Sequence, residues 1–234
     1  MTFLRVLLES DGCFAASRET LLQDADTCQE LDELGLPVIG GRALRGLLVE
    51  EVGIVLSALR GLPEGKTYEA AAQELFGSPG QVAPGRLAVG DARYPEEARS
   101  VLADAVATES GLCLLAARSH TVLRRQTSIH EQTGAAATGS LRATRLVRKG
   151  TMLYSRLLFD GTAFGQATQC GVTHKALVAM AVRLLRRGGV HRSRGWGQIS
   201  VELLDGGLSE TSGGPVGETW SAPLLQRLAK GVDR

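Results

Sequence analysis

The chain has 234 residues, of which 44% are hydrophobic, 22% are charged and 4% are aromatic. These values are typical of one elaborated globular domain, or of one domain with a small appendage. No run of about 18 apolar residues is present, which excludes a transmembrane helix, and the formal net charge of +1 by itself indicates no particular partner.

The charges are distributed unevenly along the chain. Residues 1–34 contain two arginines and eight acidic residues, residues 118–149 contain seven basic residues and one acidic residue, and residues 183–194 contain five arginines and no acidic residue. Two arginine-rich zones, each beside a glycine-rich loop, can present a basic face to nucleic acid. The alternative is that the zones are solvated faces that point in different directions.

The cysteines and the first residues of the chain indicate the cellular compartment of the protein. Cys13, Cys28, Cys113 and Cys170 are isolated in the sequence, without the close spacing of a zinc knuckle or a redox motif. Residues 1–9 are apolar over too short a distance for a signal peptide. We therefore expect reduced thiols and a cytoplasmic protein.

Hydrophobic periodicity predicts the elements of the first half of the chain. Apolar and polar residues alternate over 1–9, which predicts a first strand, and an irregular acidic loop follows over 10–35. Apolar positions recur every three or four residues over 42–59, which predicts a long helix. We then expect a short helix over 67–76, a strand over 86–91, a helix that begins at Pro95 and has Val101 on its apolar face, and a buried strand over 111–117.

The second half begins with a basic segment that has no clean period. Unpatterned segments as long as residues 118–140 are uncommon in compact domains unless they are functional. We then expect strands over 141–147 and 151–159 that form a hairpin, a helix over 173–187, a glycine-rich loop over 188–197, a strand over 199–203, a linker over 205–219 and an amphipathic helix around Trp220.

The clearest elements occur in the order strand, helix, strands, helix, strand. This order is compatible with an α+β fold that is built on a ferredoxin-like βαββαβ core. The remaining helices and the segment 118–160 are then insertions into that core.

The stretch 26–46 combines carboxylates, an apolar run and a glycine turn. Two glycines open the predicted helix and two arginines lie beside them, at Gly40, Gly41, Arg42 and Arg45. Backbone N–H groups at a helix start, together with arginines, predict a seat for a phosphate. The alternative is a glycine turn that only leads into a core helix.

The glycine-rich loop 188–197 is the second candidate for phosphate binding. It contains four glycines, one tryptophan and the side chains of His191, Arg192 and Arg194. Glycines let backbone N–H groups reach phosphates, and arginines supply bidentate contacts. The loop is neither a P-loop nor a Rossmann turn, since it runs from a helix to a strand, and the alternative is a flexible surface loop.

Three stretches of the sequence resemble motifs of the RAMP superfamily (repeat-associated mysterious proteins). Residues 26–46 resemble its segment Asp-x-x-x-x-x-Asp … Gly-x-Pro-x-Ile-Pro-Gly-Ser-Ser-Leu-Lys-Gly, with Gly40 in place of proline and Arg42-Ala43 in place of two serines. Residues 129–141 resemble the thumb motif Ile-Asp-Arg-x-Thr-Gly-x-Ala-x-x-Gly-x-Leu, and residues 188–201 resemble the glycine-rich loop and last strand. The likeness is closest to the backbone RNA-binding subunits of type III CRISPR effector complexes.

The resemblance implies a ferredoxin-like (RRM-like) palm with insertions and a β-hairpin thumb. We expect a RAMP domain over 1–204, with the thumb at about 118–160, and a linker with a short C-terminal helix over 205–234. The implied partners are CRISPR RNA, target RNA, other RAMP subunits and further copies of the chain itself, with no membrane.

The resemblance also implies that an acidic residue before the glycine turn cleaves target RNA with a divalent cation, Mg²⁺ or Mn²⁺. Asp26 lies at this position and would be the metal ligand, with Asp24 and Asp32 as rivals. A lone aspartate has no preformed cage, so we expect weak metal affinity without RNA. The residues expected to contact RNA are Gly40, Gly41, Arg42, Arg45, Arg124, Arg125, His130, Thr133, Gly188, Gly189, Arg192, Arg194 and Gly195.

Two other functions remain open beside an RNA-cleaving subunit. One is a structural RNA-binding subunit whose acidic loop is inert, and the other is a small-molecule α/β enzyme with phosphate loops. An RNA-recognition motif that stacks bases on its strands is disfavoured by the 4% aromatic content. A CRISPR RNA-processing nuclease, which commonly uses an early histidine, is disfavoured because the first histidine is His120. We expect contacts mostly to the RNA backbone.

Overall fold

A computed structural model describes residues 1–15, 21–22, 24–78, 85–159, 169–206 and 211–232. In chain order, its elements are β1 (Thr2–Leu8), α1 (Gly41–Leu59), α2 (Gly65–Phe76), β2 (Leu87–Val89), α3 (Glu96–Thr108), α4 (Leu112–His120), β3 (Thr121–Gln126), β4 (Arg142–Val147), β5 (Met152–Phe159), α5 (Gln169–Leu184), a 3₁₀ turn (Arg192–Arg194), β6 (Ile199–Asp205), β7 (Gly214–Pro215) and α6 (Gly217–Val232).

The main sheet has the strand order β2-β5-β1-β6-β7, and its neighbours are antiparallel. Without the short edge strand β7, the elements β1, α1, β2, β5, α5 and β6 form the predicted ferredoxin-like core, with β1 and β5 in the centre. One face of the sheet packs against the helices, because Leu4, Val6 and Leu8 of β1 share a core with Leu44 and Leu177. The prediction of an α+β, ferredoxin-like fold is confirmed.

A separate two-stranded ribbon, formed by β3 and β4, is inserted between β2 and β5. The predicted hairpin of 141–147 with 151–159 is wrong, since β4 pairs with β3 whereas β5 pairs with β1 in the main sheet. The chain changes sheets at Gly150, which has a φ of 87° and donates its N–H to the Leu8 carbonyl. The physical reason is burial: Leu153 and Leu157 of β5 belong to the core under the main sheet.

The strand that we predict over 111–117 is wrong, since residues 112–117 lie in helix α4 and Gly111 is its N-cap. A short apolar run fits either element, because periodicity needs more residues to distinguish them. The helix buries only Ala117. The predicted apolar face of α3 is also not packed in a core, since no residue of α3 is buried and Val101 is 71% exposed.

The C-terminal helix α6 docks on the same chain. Leu224 is fully buried, and Trp220 and Leu228 pack against the core. The predicted linker 205–219 contains β7 and the start of α6, while its residues 207–210 lie outside the described part of the chain. Within the described residues, no helix has both the length and the apolar character needed to cross a bilayer.

Candidate nucleic-acid interface

The segment that follows β1 joins the motifs that the sequence singles out. Gly12 exchanges two backbone hydrogen bonds with Val147 at the end of the ribbon. The neighbouring carbonyls of Asp11 and Cys13 accept N–H groups of Gly197 and Val190 in the glycine-rich loop, at 2.9 and 2.8 Å. The ribbon and the glycine-rich loop therefore lie side by side.

The acidic loop runs along β4 of the ribbon. The Asp26 N–H donates to the Ala143 carbonyl (2.9 Å), and the Arg145 N–H donates to the Thr27 carbonyl (2.9 Å). Asp26 Oδ2 accepts the Ala143 N–H at 2.6 Å. The Asp26 side chain is exposed, and its second oxygen, Oδ1, has no hydrogen-bond partner among the described residues. One carboxylate oxygen is thus fixed while the other faces solvent.

Asp24, the first rival of Asp26, is engaged by Arg145. The guanidinium of Arg145 bonds both carboxylate oxygens of Asp24, and its Nη1 donates to Thr121 Oγ1 at 2.8 Å. The Arg145 side chain is only 7% exposed. Its hydrogen bonds hold the pKa of Asp24 below the usual value. These contacts give Asp24 a role in holding the acidic loop on the ribbon.

Asp32, the second rival, is a buried carboxylate that accepts hydrogen bonds from its own turn and from Arg99. Its side chain is 1% exposed. Oδ1 accepts the N–H groups of Leu34 (3.0 Å) and Leu36 (2.9 Å), and Oδ2 accepts Nε of Arg99 (3.2 Å). A carboxylate that is buried and bonded in this way stabilises a turn and has little access to RNA or to a hydrated cation.

At the start of α1, the backbone of the glycine turn is hydrogen-bonded to a carboxylate of the same chain. Asp91 Oδ1 accepts the Gly41 N–H at 2.8 Å, which occupies one amide of the predicted phosphate seat. A Cβ on Gly41 would overlap the Val89 carbonyl, so this glycine allows α1 to approach β2. Gly40 and Arg42 line an adjacent open cleft of about 530 Å³, with Glu30, Asp91, Arg93 and Gly189 among its other walls.

The two arginines of this turn differ in their contacts. Arg45 donates to the carbonyl of Phe76 at 2.6 Å and lies over the Phe76 ring, so it holds the end of α2. The Arg42 side chain is exposed and makes no ion pair or hydrogen bond with the described residues. Of the two predicted contacts, Arg42 is therefore available to a phosphate, whereas Arg45 has an intramolecular role.

The glycines of the loop after α5 serve mainly close packing of backbone. Gly189 has a φ of 82°, and a Cβ there would overlap the Cys13 carbonyl. Gly188 lies against the side chains of Leu47 and Phe14. In contrast, Gly195 has a φ of 89° and open space where a Cβ would be. Only Gly195 of these three faces solvent freely.

The cations of the same loop are also of two kinds. Arg192 pairs with Glu50 on α1 at 2.7 Å, and the hydrogen bond to Glu50 raises the Arg192 pKa. The Arg194 side chain is exposed and has no partner among the described residues. Arg192 ties the loop to α1, and Arg194 is free to contact a ligand.

The ribbon carries the remaining predicted contacts. Arg124 pairs with Asp11 at 3.2 Å, and Arg125 is exposed without a side-chain partner in the described part of the chain. The loop between β3 and β4 contains His130 and Thr133, both exposed. It is closed by a bridge between Ile129 and Ala136. The β-hairpin thumb at about 118–160 stays a prediction, and the strands that pair within this range are β3 and β4, since β5 belongs to the main sheet.

Arg145 is a residue for which the sequence predicts no role. Its partner Asp24 is 121 positions away in the chain, so no local pattern marks the pair. Arg145 also belongs to the basic zone 118–149, for which the sequence predicts an exposed face and not a buried ion pair. Only the β3–β4 pairing places its guanidinium beneath the acidic loop.

A preformed metal cage is absent from the described residues. No cluster of three histidine, cysteine or carboxylate side chains with metal-binding geometry occurs in them. Among the described acidic residues before the glycine turn, the exposed Asp26 carboxylate would offer one oxygen as a ligand. This fits Mg²⁺ shared with a phosphate and water, because Mg²⁺ is commonly bound by one or two carboxylates together with substrate phosphates.

Comparisons with known proteins agree with the resemblance seen in the sequence. The family model described as "RAMP superfamily" matches residues 26–200. A chain of the type III-B Cmr-beta complex bound to cognate target RNA, solved by cryo-electron microscopy, superposes with a TM-score of 0.56 at 11% identity, over 86% of this chain and 96% of that one. A chain of the apo complex gives 0.58 at the same identity and coverage. No curated protein is detectably similar in sequence.

Proposed function

The chain belongs to the RAMP superfamily, and from this premise we propose that it is a CRISPR RNA-binding backbone subunit of a type III effector ribonucleoprotein. The observation that carries the proposal is the junction at residues 11–13, which brings the basic ribbon beside the glycine-rich loop. The fold shared with a chain of a type III-B complex supports the assembly context. The partners we propose are guide RNA, target RNA, other RAMP subunits and further copies of this chain.

Contacts to the RNA backbone are the main source of affinity in this proposal. The exposed cations without intramolecular partners among the described residues include Arg42, Arg125 and Arg194. Guanidinium groups bind phosphate oxygens in a bidentate way and without regard to base identity. A guide of any sequence can therefore be held, and binding should weaken as salt concentration rises.

RNA binding tests this proposal directly. We expect Arg42→Ala and Arg194→Ala each to weaken binding of unstructured RNA roughly fivefold, and to lower the slope of log affinity against log salt by about 0.7. Fluorescence anisotropy at several salt concentrations measures both quantities. Arg60→Ala is the matched control, because Arg60 lies at the other end of α1, about 27 Å along the helix. Equal binding by all variants would contradict the interface.

We further propose that Asp26 cleaves target RNA with Mg²⁺ or Mn²⁺. The supporting observation is that Asp24 and Asp32 are engaged in hydrogen bonds, whereas Asp26 keeps one exposed oxygen. The bound cation would neutralise charge at the scissile phosphate. Within the chain, the Ala143 N–H orients the Asp26 carboxylate, and the Arg145–Asp24 pair holds its loop.

The assembled complex with guide-complementary RNA tests the cleavage. We expect regularly spaced, cation-dependent cuts that disappear in Asp26→Ala, with guide binding retained. Asp26→Asn keeps the side-chain shape and should be equally inactive, because an amide is a poor ligand for the cation. Unchanged cuts in both variants would move the chemistry away from Asp26.

A non-catalytic structural subunit is the second candidate. It is favoured by the lack of a metal cluster in the described residues, and it predicts bound, uncut RNA in every variant. A small-molecule enzyme is disfavoured, because the clefts beside the motifs are open and lined by charged side chains.

A further inference from the structure

An open cleft of about 360 Å³ lies between the ribbon and the glycine-rich loop. Its walls are Ser10, Asp11, Arg124, Arg125, Gln126 and Trp196. The volume is in the range of sites for small ligands or for one part of a larger ligand. An indole beside arginine and amide side chains is the surface chemistry that suits a nucleobase attached to a phosphate.

Trp196 is held in place on both sides. Its ring meets His191 edge to face, with centroids 5.3 Å apart. Ser10 Oγ donates to the Gly195 carbonyl (3.3 Å) and accepts the Gln198 N–H (2.9 Å), so both flanks of Trp196 are tied to the segment after β1. Such anchoring reduces the entropy that a stacking platform loses when a ligand binds.

The one acidic side chain of the cleft is already neutralised. Asp11 Oδ1 accepts the Lys149 N–H at 2.9 Å, and Oδ2 pairs with Arg124 at 3.2 Å. The side chains of Arg125 and Gln126 are exposed and have no partner in the described part of the chain. The cleft can therefore accept a phosphate without repulsion from an unpaired carboxylate.

We propose that this cleft binds one unpaired nucleotide of RNA, with its base stacked on Trp196 and its phosphate near the ribbon arginines. The inference rests on the proposed RNA-binding function and adds a base contact to interactions that otherwise address the backbone. The other tryptophan, Trp220, is not available for this role, because it packs against Phe159 and Lys175. Stacking accepts every base, so the site is tolerant of sequence.

Two probes separate base stacking from backbone binding: a short oligoadenylate and an abasic ribose–phosphate oligomer of the same length. We expect Trp196→Ala to weaken binding of the oligoadenylate roughly tenfold and to leave the abasic oligomer within about twofold. Trp196→Phe keeps an aromatic face and should recover most of the affinity. Anisotropy of end-labelled oligomers measures these values in the otherwise native chain, and circular dichroism shows that each variant is folded.

Tryptophan fluorescence gives a second readout. In a Trp220→Phe background, Trp196 is the remaining indole, and the oligoadenylate should quench its emission while the abasic oligomer should not. Equal effects of both oligomers, or equal losses of both in Trp196→Ala, would overturn the stacking site and leave the proposed RNA-binding function intact. Failure of the native chain to bind either oligomer would overturn both.

Discussion

At the scale of single residues, the acidic loop depends on a cation that is nearly buried. Arg145 bonds Asp24 and Thr121 through its side chain and Thr27 through its backbone N–H. Because Asp26 lies between Asp24 and Thr27, these bonds also determine where the Asp26 carboxylate points. Because the Asp24 side chain is half exposed, breaking the Arg145–Asp24 ion pair costs less free energy of unfolding than breaking a fully buried pair would.

We predict that Arg145→Ala lowers the free energy of unfolding by about 2 kcal/mol, since it removes hydrogen bonds to a charged group and to a buried hydroxyl. Urea unfolding measures the loss. Arg142→Ala on the exposed end of β4 removes the same charge and should change stability by less than about 0.5 kcal/mol. Similar losses in the two variants would show that charge, and not this pairing, is responsible.

The free energy of unfolding of Arg145→Ala should also depend on pH differently from that of the native chain. The pKa of Asp24 is lowered in the folded state, so on acidification the unfolded chain takes up this proton first. The contribution of the carboxylate is complete above its unfolded pKa of about 3.9 and is lost as pH falls through the folded pKa. The difference in stability between the native chain and Arg145→Ala should therefore narrow below about pH 4.

At the scale of elements, α1 begins where it does because a strand lies against its first residue. A Cβ on Gly41 would overlap the Val89 carbonyl at the end of β2, and the Gly41 N–H is bonded to Asp91 just beyond that strand. In this way one glycine joins helix and sheet and shapes the cleft that contains Arg42. The ribbon is joined to the segment between β1 and α1 by similar short contacts, at Gly12 with Val147 and Thr27 with Thr144.

We predict that Gly41→Ala destabilises the protein by about 2 kcal/mol, because the methyl group must push α1 away from β2. Gly46→Ala is a matched control in the same helix, where a Cβ would meet no atom within 4 Å. It should stabilise the protein by up to about 1 kcal/mol through helix propensity. Thermal unfolding of both variants measures the contrast, and losses of equal size would contradict the close approach.

At the scale of the whole molecule, the C-terminal helix α6 is part of the core beneath the main sheet. The helix α6 packs on α5 and on β6, and Leu224 is 0% exposed in the shared core. The ribbon, in contrast, projects a loop whose residues are largely exposed. The chain therefore combines a well-packed body with a projecting ribbon that carries several of its cations.

We predict that Leu224→Ala lowers the free energy of unfolding by about 3 kcal/mol, as expected for a large-to-small change in a core. Leu225→Ala, next along the same helix, removes a side chain that is 39% exposed and should cost less than about 1 kcal/mol. Denaturant titration of both variants measures these costs. Equal and small effects would mean that the helix is an appendage and not part of the fold.

The sequence by itself determined the fold class and the long helices, and the site residues that it indicates stay predictions. Periodicity is a local property, so α1, α5 and β6 could be recognised from their own residues. The motifs over 26–46 and 188–201 indicated the family in which the chain is now placed. Exposed Asp26, Arg42 and Arg194 lie where a ligand can reach them, as the predicted roles require.

Only the tertiary structure decided which residues pair and what each predicted contact does. Whether β4 pairs with β3 or with β5 depends on the competition between two sheets. The apolar run 111–117 is too short for its periodicity to distinguish a helix from a strand. Arg45, Asp32 and Gly41 match the motif, but each is used for an internal contact. These outcomes depend on hydrogen bonds and strand pairings between residues that are far apart in the chain. Local sequence patterns do not predict such long-range contacts.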